Sequence, residues 1–212
     1  MKGLILNNMY SIEKSMRTSI LLSIAALIGL LLTEHSAAVR VAALLPFLLI
    51  PVQAFEILKL DSMSGWNKFE ITLPVNREKI IQSKYITFFI LLTFCVILAV
   101  GLFFITNIFI ETSFSSIFFL FMLRGMGIVL CLATLLYPLT YVLGVEKSDT
   151  IMLYCIGFAF GMFGLVFFGL ELIPGTIENI DFLFSVTYCL LSFILFIISY
   201  FIANFIYKRK EF

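Results

Sequence analysis

The chain has 212 residues, of which 62% are hydrophobic and only 13% are charged. Soluble domains contain roughly 45–50% apolar and about 25% charged residues, so this composition excludes a water-soluble fold and indicates an integral membrane protein. The formal net charge is only +1 and no long basic stripe occurs, which argues against a nucleic-acid partner.

Residues 1–17 are less apolar than the segments that follow and have a helical periodicity. One face of a helix through them would carry Leu4, Ile5, Met9, Ile12 and Met16. The opposite face would be mostly polar, with Asn7, Asn8, Ser11, Lys14 and Ser15. This pattern predicts an amphipathic helix in the inner interface of the membrane. A frayed cytoplasmic tail is the alternative.

Six apolar segments follow, and a helix needs about 20 such residues to cross a bilayer. They are residues 18–32, 39–58, 85–110, 115–143, 150–170 and 182–207. Their apolar residues are continuous rather than alternating, which favours helices over the strands of a membrane barrel. The sequence therefore predicts an all-α polytopic membrane protein whose residues 18–212 form a six-span transmembrane domain. Pro46 and Pro51 are expected to kink the second span.

The placement of lysine and arginine predicts the orientation, because these residues are enriched on the cytoplasmic side. With the N-terminus inside, twelve of the 14 basic residues fall on the cytoplasmic side. Only Arg40 and Arg124 then lie near the outer side. The sequence predicts a multi-pass protein of the cell membrane with both termini in the cytoplasm.

Residues 59–84 form the only large loop between the predicted spans, and this loop is cytoplasmic in the predicted orientation. Met63, Trp66, Phe69 and Leu73 recur at spacings of three and four, which predicts a short amphipathic helix. Pro74 is expected to end it, since the residue before a proline is driven out of the helical conformation. Asn76 is expected to cap a second helix that runs without a break into the third span.

The residues needed for common enzyme chemistry are missing. His35 is the only histidine, and no Gly-Lys pair of a phosphate-binding loop occurs. Each cysteine lies in a different apolar segment, which is typical of core positions rather than of a metal site or disulfide; the four are Cys95, Cys131, Cys155 and Cys189. We therefore predict that the chain is not an enzyme, and that any ATPase is a separate polypeptide.

Arg124 is the clearest charge inside a predicted span. An ionisable residue at such a position is a candidate for a translocation path, because an unpaired charge in the membrane is costly. The favoured alternative is a structural role, in which Arg124 reaches the outer surface and pairs with Glu111, Glu171 or Glu178.

The loop between the second and third predicted spans resembles that of a known family. The pattern is an aromatic-rich short helix, a Leu-Pro pair, a basic residue, an apolar pair and a Ser-Lys-Tyr triplet. Here these are Trp66 and Phe69, Leu73-Pro74, Arg77, Ile80-Ile81 and Ser83-Lys84-Tyr85. With the six spans and the N-terminal helix, the chain resembles the membrane (permease) subunit of a type-2 ABC exporter.

The resemblance implies that residues 1–17 are an elbow helix and that the loop carries a coupling helix, which docks into a groove of an ATPase subunit. Carried over by position, Trp66 and Phe69 would be apolar anchors of this docking site, with Lys68 and Glu70 at its polar rim. The other residues of the docking set are Asp61, Met63, Gly65 and Leu73.

The resemblance also implies the partners of the chain. Two permease subunits, the same chain or a paralogue, would work with two ABC ATPase subunits. The ATPase would bind ATP and magnesium, so no cofactor and no metal are expected on this chain. The small six-span form is similar to bacterial permeases that export phenol-soluble modulins or give lantibiotic immunity. An amphipathic peptide or lipid-like cargo is therefore expected, in a membrane whose lipids surround the spans.

Without the resemblance, two other functions remain. A secondary transporter or channel would be expected to have midplane charges and broken helices in repeated halves, and the two halves of this sequence show no convincing repeat. A membrane scaffold without transport activity is the other alternative.

Overall fold

The computed structural model describes residues 1–31, 44–110, 116–172 and 180–209. Its helices are α1 (Lys2–Leu31), α2 (Leu45–Leu49), α3 (Gln53–Met63), α4 (Trp66–Thr72), α5 (Arg77–Ile110), α6 (Ser116–Leu143), α7 (Ser148–Glu171) and α8 (Ile180–Arg209), with a 3₁₀ turn at Val145–Lys147. No strand occurs in these ranges, as the all-α prediction requires. The chain divides into two compact units, Met1–Phe118 and Phe119–Phe212.

Four of the described helices are long and apolar enough to cross a membrane. They cover Arg77–Ile105, Phe118–Leu143, Val145–Glu171 and Ile180–Arg209. These correspond to the last four predicted spans, which are thereby confirmed as long apolar helices. The count of six spans stays a prediction, because part of the first two spans, together with His35 and Arg40, lies outside the described residues.

Helix α1 is continuous from Lys2 to Leu31, so the predicted interfacial helix 1–17 and the first predicted span form one helix. Its buried face has helical spacing and consists of Leu4, Asn8, Ile12, Ser19, Ser23 and Leu27. The assignment of Asn8 to the outward polar face is therefore wrong. A position of residues 1–17 in the membrane interface stays a prediction.

The second predicted span is broken in its described part. Helix α2 ends at Leu49 and α3 begins at Gln53, with Pro51 in the turn between them. A proline within a helix removes a backbone hydrogen bond and clashes with the preceding turn, so the regular α-helix is interrupted here, although Ile50 and Val52 keep right-handed helical angles. Helix α3 then continues to Met63, five residues beyond the predicted end of the span at Leu58.

The predicted coupling region is two helices rather than one. Helix α3 ends at Met63 and α4 begins at Trp66. Between them, Gly65 has a φ of 74°, a left-handed conformation that glycine adopts without steric cost. Helix α4 ends at Thr72, and Leu73 is extended before Pro74, as predicted. Helix α5 begins directly after Asn76 and continues unbroken into the apolar segment, also as predicted.

In the unit Phe119–Phe212, helices α6, α7 and α8 meet around Tyr188. The Tyr188 side chain is fully buried, and its hydroxyl donates a hydrogen bond to the Ala159 carbonyl oxygen at 3.2 Å. Gly127 of α6 faces the Tyr188 ring so closely that an added Cβ would lie 2.6 Å from Cδ1. Glycine at this position therefore permits the close approach of α6 and α8.

Candidate functional site

The short helix α4 presents an apolar surface on one side. Phe69 is 53% exposed, and Met63, at the end of α3, is 78% exposed. Lys68 is exposed, while Gly65 and Leu73 are half-buried. Helix α4 lies outside the long apolar helices that could cross a membrane.

Trp66 is less accessible than its assignment as a docking anchor suggested. The residue is half-buried, and its indole Nε1 is buried without a hydrogen-bond partner among the described residues. Its ring contacts Phe69, with 5.3 Å between the ring centroids. Trp66 therefore packs against Phe69, and the exposed large apolar side chains of this stretch are Phe69 and Met63.

Behind this surface lies a buried group of charged and polar side chains, which we call the Lys84 cluster: Asn8, Asp61, Glu70 and Lys84. The Lys84 ammonium lies 2.5 Å from Asp61 Oδ2 and 3.9 Å from Glu70 Oε1. It also donates a hydrogen bond to Asn8 Oδ1 at 2.7 Å. All four residues are less than a tenth exposed, so the chain itself holds these charges away from solvent.

The Thr87 hydroxyl of α5 orients the Asn8 amide. Asn8 Nδ2 donates to Thr87 Oγ1 at 3.2 Å, and the Thr87 hydroxyl donates to the Ser83 carbonyl oxygen at 2.8 Å. Because the amide nitrogen is occupied by Thr87, the amide oxygen faces Lys84. The cluster thereby connects α1 and α5 as well as α3 and α4.

The charges of the cluster do not balance if every group is ionised. Lys84 and Asp61 form a neutral pair, so an ionised Glu70 would leave a net negative charge in a buried site. Burial is the main cause that raises the Glu70 pKa from its usual 4.5 to about 7; Lys84 opposes the shift and Asp61 adds to it. Near neutral pH, a large fraction of Glu70 is therefore protonated.

The structure thus divides the predicted docking residues into two groups. Met63, Lys68 and Phe69 are exposed, and Trp66 is partly so. Asp61 and Glu70 are 6% and 2% exposed, so Glu70 does not form an exposed polar rim. A docking role for the exposed group stays a prediction.

Sequence reasoning missed the two residues that complete the cluster, Asn8 and Lys84. The only local signal for Asn8 is its position in the series Leu4, Asn8 and Ile12, which places it on the face that the structure buries. Lys84 is the last charged residue before the apolar segment of α5, a place where a lysine is ordinarily read as interfacial.

Arg124, the charge within a predicted span, is paired inside its own unit. Its Nη2 lies 2.6 Å from Asp181 Oδ1, and its Nε donates to Ser185 Oγ at 2.9 Å. The guanidinium carbon is also 5.1 Å from the centroid of the Phe184 ring, a cation–π distance.

This partner differs from the predicted ones. Among the predicted partners of Arg124, Glu171 is exposed at the end of α7, whereas Glu111 and Glu178 lie outside the described residues. Asp181 is in the first turn of α8, where a carboxylate is also favoured by the helix dipole. The contacts give Arg124 a structural pairing, and a role in the translocation path stays a prediction.

Comparison with known proteins identifies the family to which the chain belongs. A search of curated proteins and a search of solved structures each found no significant match. The family model described as ABC-2 family transporter protein matches residues 3–208, nearly the whole chain. Members of this family are transport proteins rather than enzymes, and they work with a partner ATPase. With its long apolar helices, the chain is therefore a multi-pass membrane protein that belongs to the ABC-2 transporter family, as a type-2 ABC permease subunit.

Proposed function

We propose that this chain is the permease subunit of an ATP-driven exporter and that its ATPase partner docks on Met63, Trp66 and Phe69. The observation that carries the proposal is the exposed apolar surface of Met63 and Phe69 in a charged stretch outside the long apolar helices. Exposed aromatic residues next to polar ones are typical of binding hot spots.

The proposal includes the finer features that the resemblance implies. The chain has six spans, both termini and helix α4 face the cytoplasm, and two permease subunits assemble with two ATPase subunits. The distribution of basic residues supports this orientation. The cargo is an amphipathic peptide or a lipid-like molecule, and the abundance of phenylalanine, 25 residues, supports an apolar rather than an ionic cargo.

The docking energy of Phe69 follows from its exposure. An aromatic side chain buries roughly 150–250 Å² when it is fully covered. Because about half of Phe69 is still exposed, docking would bury about 100 Å² more, worth roughly 2–3 kcal/mol. Phe69→Ala is therefore expected to weaken ATPase binding about 30- to 150-fold. Trp66→Ala is expected to cost about 2 kcal/mol, since it removes a contact and the support of Phe69.

The test is affinity purification of the chain from membranes of its own cells, identification of the bound ATPase, and measurement of the binding affinity in nanodiscs. Phe160→Ala is the matched control, because Phe160 is 62% exposed but lies in the apolar helix α7. Binding lost with Phe69→Ala and kept with Phe160→Ala supports the docking site. Equal binding by both variants contradicts it, and a chain that binds no ATPase contradicts the proposed function.

Stimulation of the complex's ATPase activity by amphipathic peptides or by lipids then tests the cargo class.

A further inference from the structure

The Lys84 cluster draws one residue from each of four helices. Asn8 comes from α1, Asp61 from α3, Glu70 from α4 and Lys84 from α5. The Lys84 ammonium donates hydrogen bonds to Asp61 Oδ2 at 2.5 Å and Asn8 Oδ1 at 2.7 Å, and it lies 3.9 Å from Glu70 Oε1, which accepts no hydrogen bond among the described residues. A single side chain of a long apolar helix therefore bonds α1 and α3 and lies against α4.

The backbone by itself connects α4 loosely to its neighbours. A left-handed glycine, Gly65, precedes the helix, and an extended Leu73 at the start of a bend over residues 73–75 follows it. Helix α4 has only seven residues, and isolated helices shorter than about 12–15 residues are marginal. Side-chain contacts must therefore determine whether a push on α4 moves α5 or merely bends the two connections.

Stability alone does not account for the cluster. Burying ions removes their hydration, and well-packed apolar residues at such positions often give equal or greater stability. An ion pair that accepts and donates hydrogen bonds fixes distance and direction, whereas apolar side chains can slide past each other. The contacts of Lys84 suit a connection, which we call the Lys84 joint, that keeps α1, α3, α4 and α5 in fixed relative positions.

We propose that Lys84 is a positioning residue for transport: its buried ammonium holds α1 and α3 to the base of α5 through hydrogen bonds and lies against Glu70 of α4, so that the four helices move as one body when the ATPase displaces α4. The inference rests on the proposed function, since it takes α4 as the place where the ATPase pushes. It adds that coupling depends on a residue that the ATPase does not touch.

The test measures the distance between α4 and α5. Spin labels are placed at Thr72 on α4 and at Ile97 on α5, both exposed, in a background without the four native cysteines. The distance distribution is recorded for the permease–ATPase complex in nanodiscs, with and without a non-hydrolysable ATP analogue. In the chain with Lys84 intact, the distance distribution is expected to be narrow and not to change when nucleotide binds. With Lys84→Met, it is expected to broaden about twofold and to shift with nucleotide, because α4 then moves without α5.

Lys79→Met is the matched control, because Lys79 is an exposed lysine of the same helix, five residues earlier. It is expected to behave like the unaltered chain. A narrow, nucleotide-independent distribution in Lys84→Met would overturn the inference.

A second variant separates positioning from folding. Lys84→Met leaves Asp61 as a buried carboxylate without its cation, which by itself destabilises the fold. Lys84→Met combined with Asp61→Asn removes both charges, so its thermal stability is expected to approach that of the unaltered chain. We expect its label distance to remain broad and nucleotide-dependent. A return to the narrow distribution would show that the cluster is merely structural and would overturn the inference.

ATPase binding, measured in the same preparations, distinguishes the two proposals. If the complex forms and Lys84→Met keeps the narrow distance distribution, only the positioning role of Lys84 is refuted. If the unaltered chain binds no ATPase, the proposed function fails, and the joint fails with it.

Discussion

Replacing Glu70 with glutamine removes the third charge of the Lys84 cluster with little change of shape. Glutamine resembles a protonated glutamate but does not ionise. The groups that face Glu70 come from three helices: Asp61 from α3, Lys84 from α5 and, through Lys84, Asn8 from α1. The variant therefore isolates the contribution of one ionisation in an otherwise intact site.

The magnitude follows from the shift of the Glu70 pKa from its usual 4.5 to about 7. One pKa unit corresponds to about 1.4 kcal/mol, so the shift corresponds to roughly 3 kcal/mol. The folded chain binds this proton more tightly than the unfolded chain does. Its stability therefore falls as the pH rises through the interval from about 4.5 to about 7, and the loss is complete above it. Glu70→Gln is expected to match the unaltered chain near pH 4.5 and to be more stable by about 3 kcal/mol near pH 8.

The measurement is the free energy of unfolding in mixed micelles, titrated with a denaturing detergent at several pH values between about 4.5 and about 8. Glu146→Gln is the control, because Glu146 is exposed in the 3₁₀ turn. The reasoning is refuted if the difference between Glu70→Gln and the unaltered chain does not change with pH. It is also refuted if the variant is the less stable protein at the alkaline end.

Three further substitutions test the unit Phe119–Phe212 by the same unfolding measurement. Gly127→Ala would place a Cβ 2.6 Å from Tyr188 Cδ1 and is expected to cost about 1–3 kcal/mol by overpacking. Its control, Gly161→Ala, has no heavy atom within 4 Å and is expected to cost nothing or to stabilise by up to about 1 kcal/mol. Equal effects would contradict the close approach at Gly127. Arg124→Met is expected to cost about 1–2 kcal/mol, since it removes the bonds to Asp181 and Ser185. Unchanged stability with loss of transport would instead assign Arg124 to the translocation path.

The parts of the fold that the sequence predicted correctly depend on local properties. Helices α5 to α8 follow from continuous apolar segments, and the end of α4 follows from Pro74. The sequence predicts a kink at Pro51 but not the length of the interruption between α2 and α3, because a proline alone does not decide between bending and ending a helix. The turn at Gly65 was missed, since glycine permits a left-handed conformation but does not require it.

The candidate docking site was predicted in part. The spacing of Met63, Trp66 and Phe69 placed them together on one side of a short helix, and the structure leaves Met63 and Phe69 exposed. The same spacing could not show that Glu70, one residue after Phe69, faces inward. That depends on Lys84, which is 14 residues away along the chain and belongs to another helix.

By itself, the sequence determined the membrane class, the four long apolar helices and the family, because hydropathy, proline and motif patterns act over neighbouring residues. Only the tertiary structure decided which polar groups are buried. Asn8, Asp61, Glu70 and Lys84 look like ordinary interfacial residues until four helices bring them together. The physical reason is that the cost of burying a charge depends on the partner it meets, and that partner is set by helix packing rather than by the neighbouring sequence.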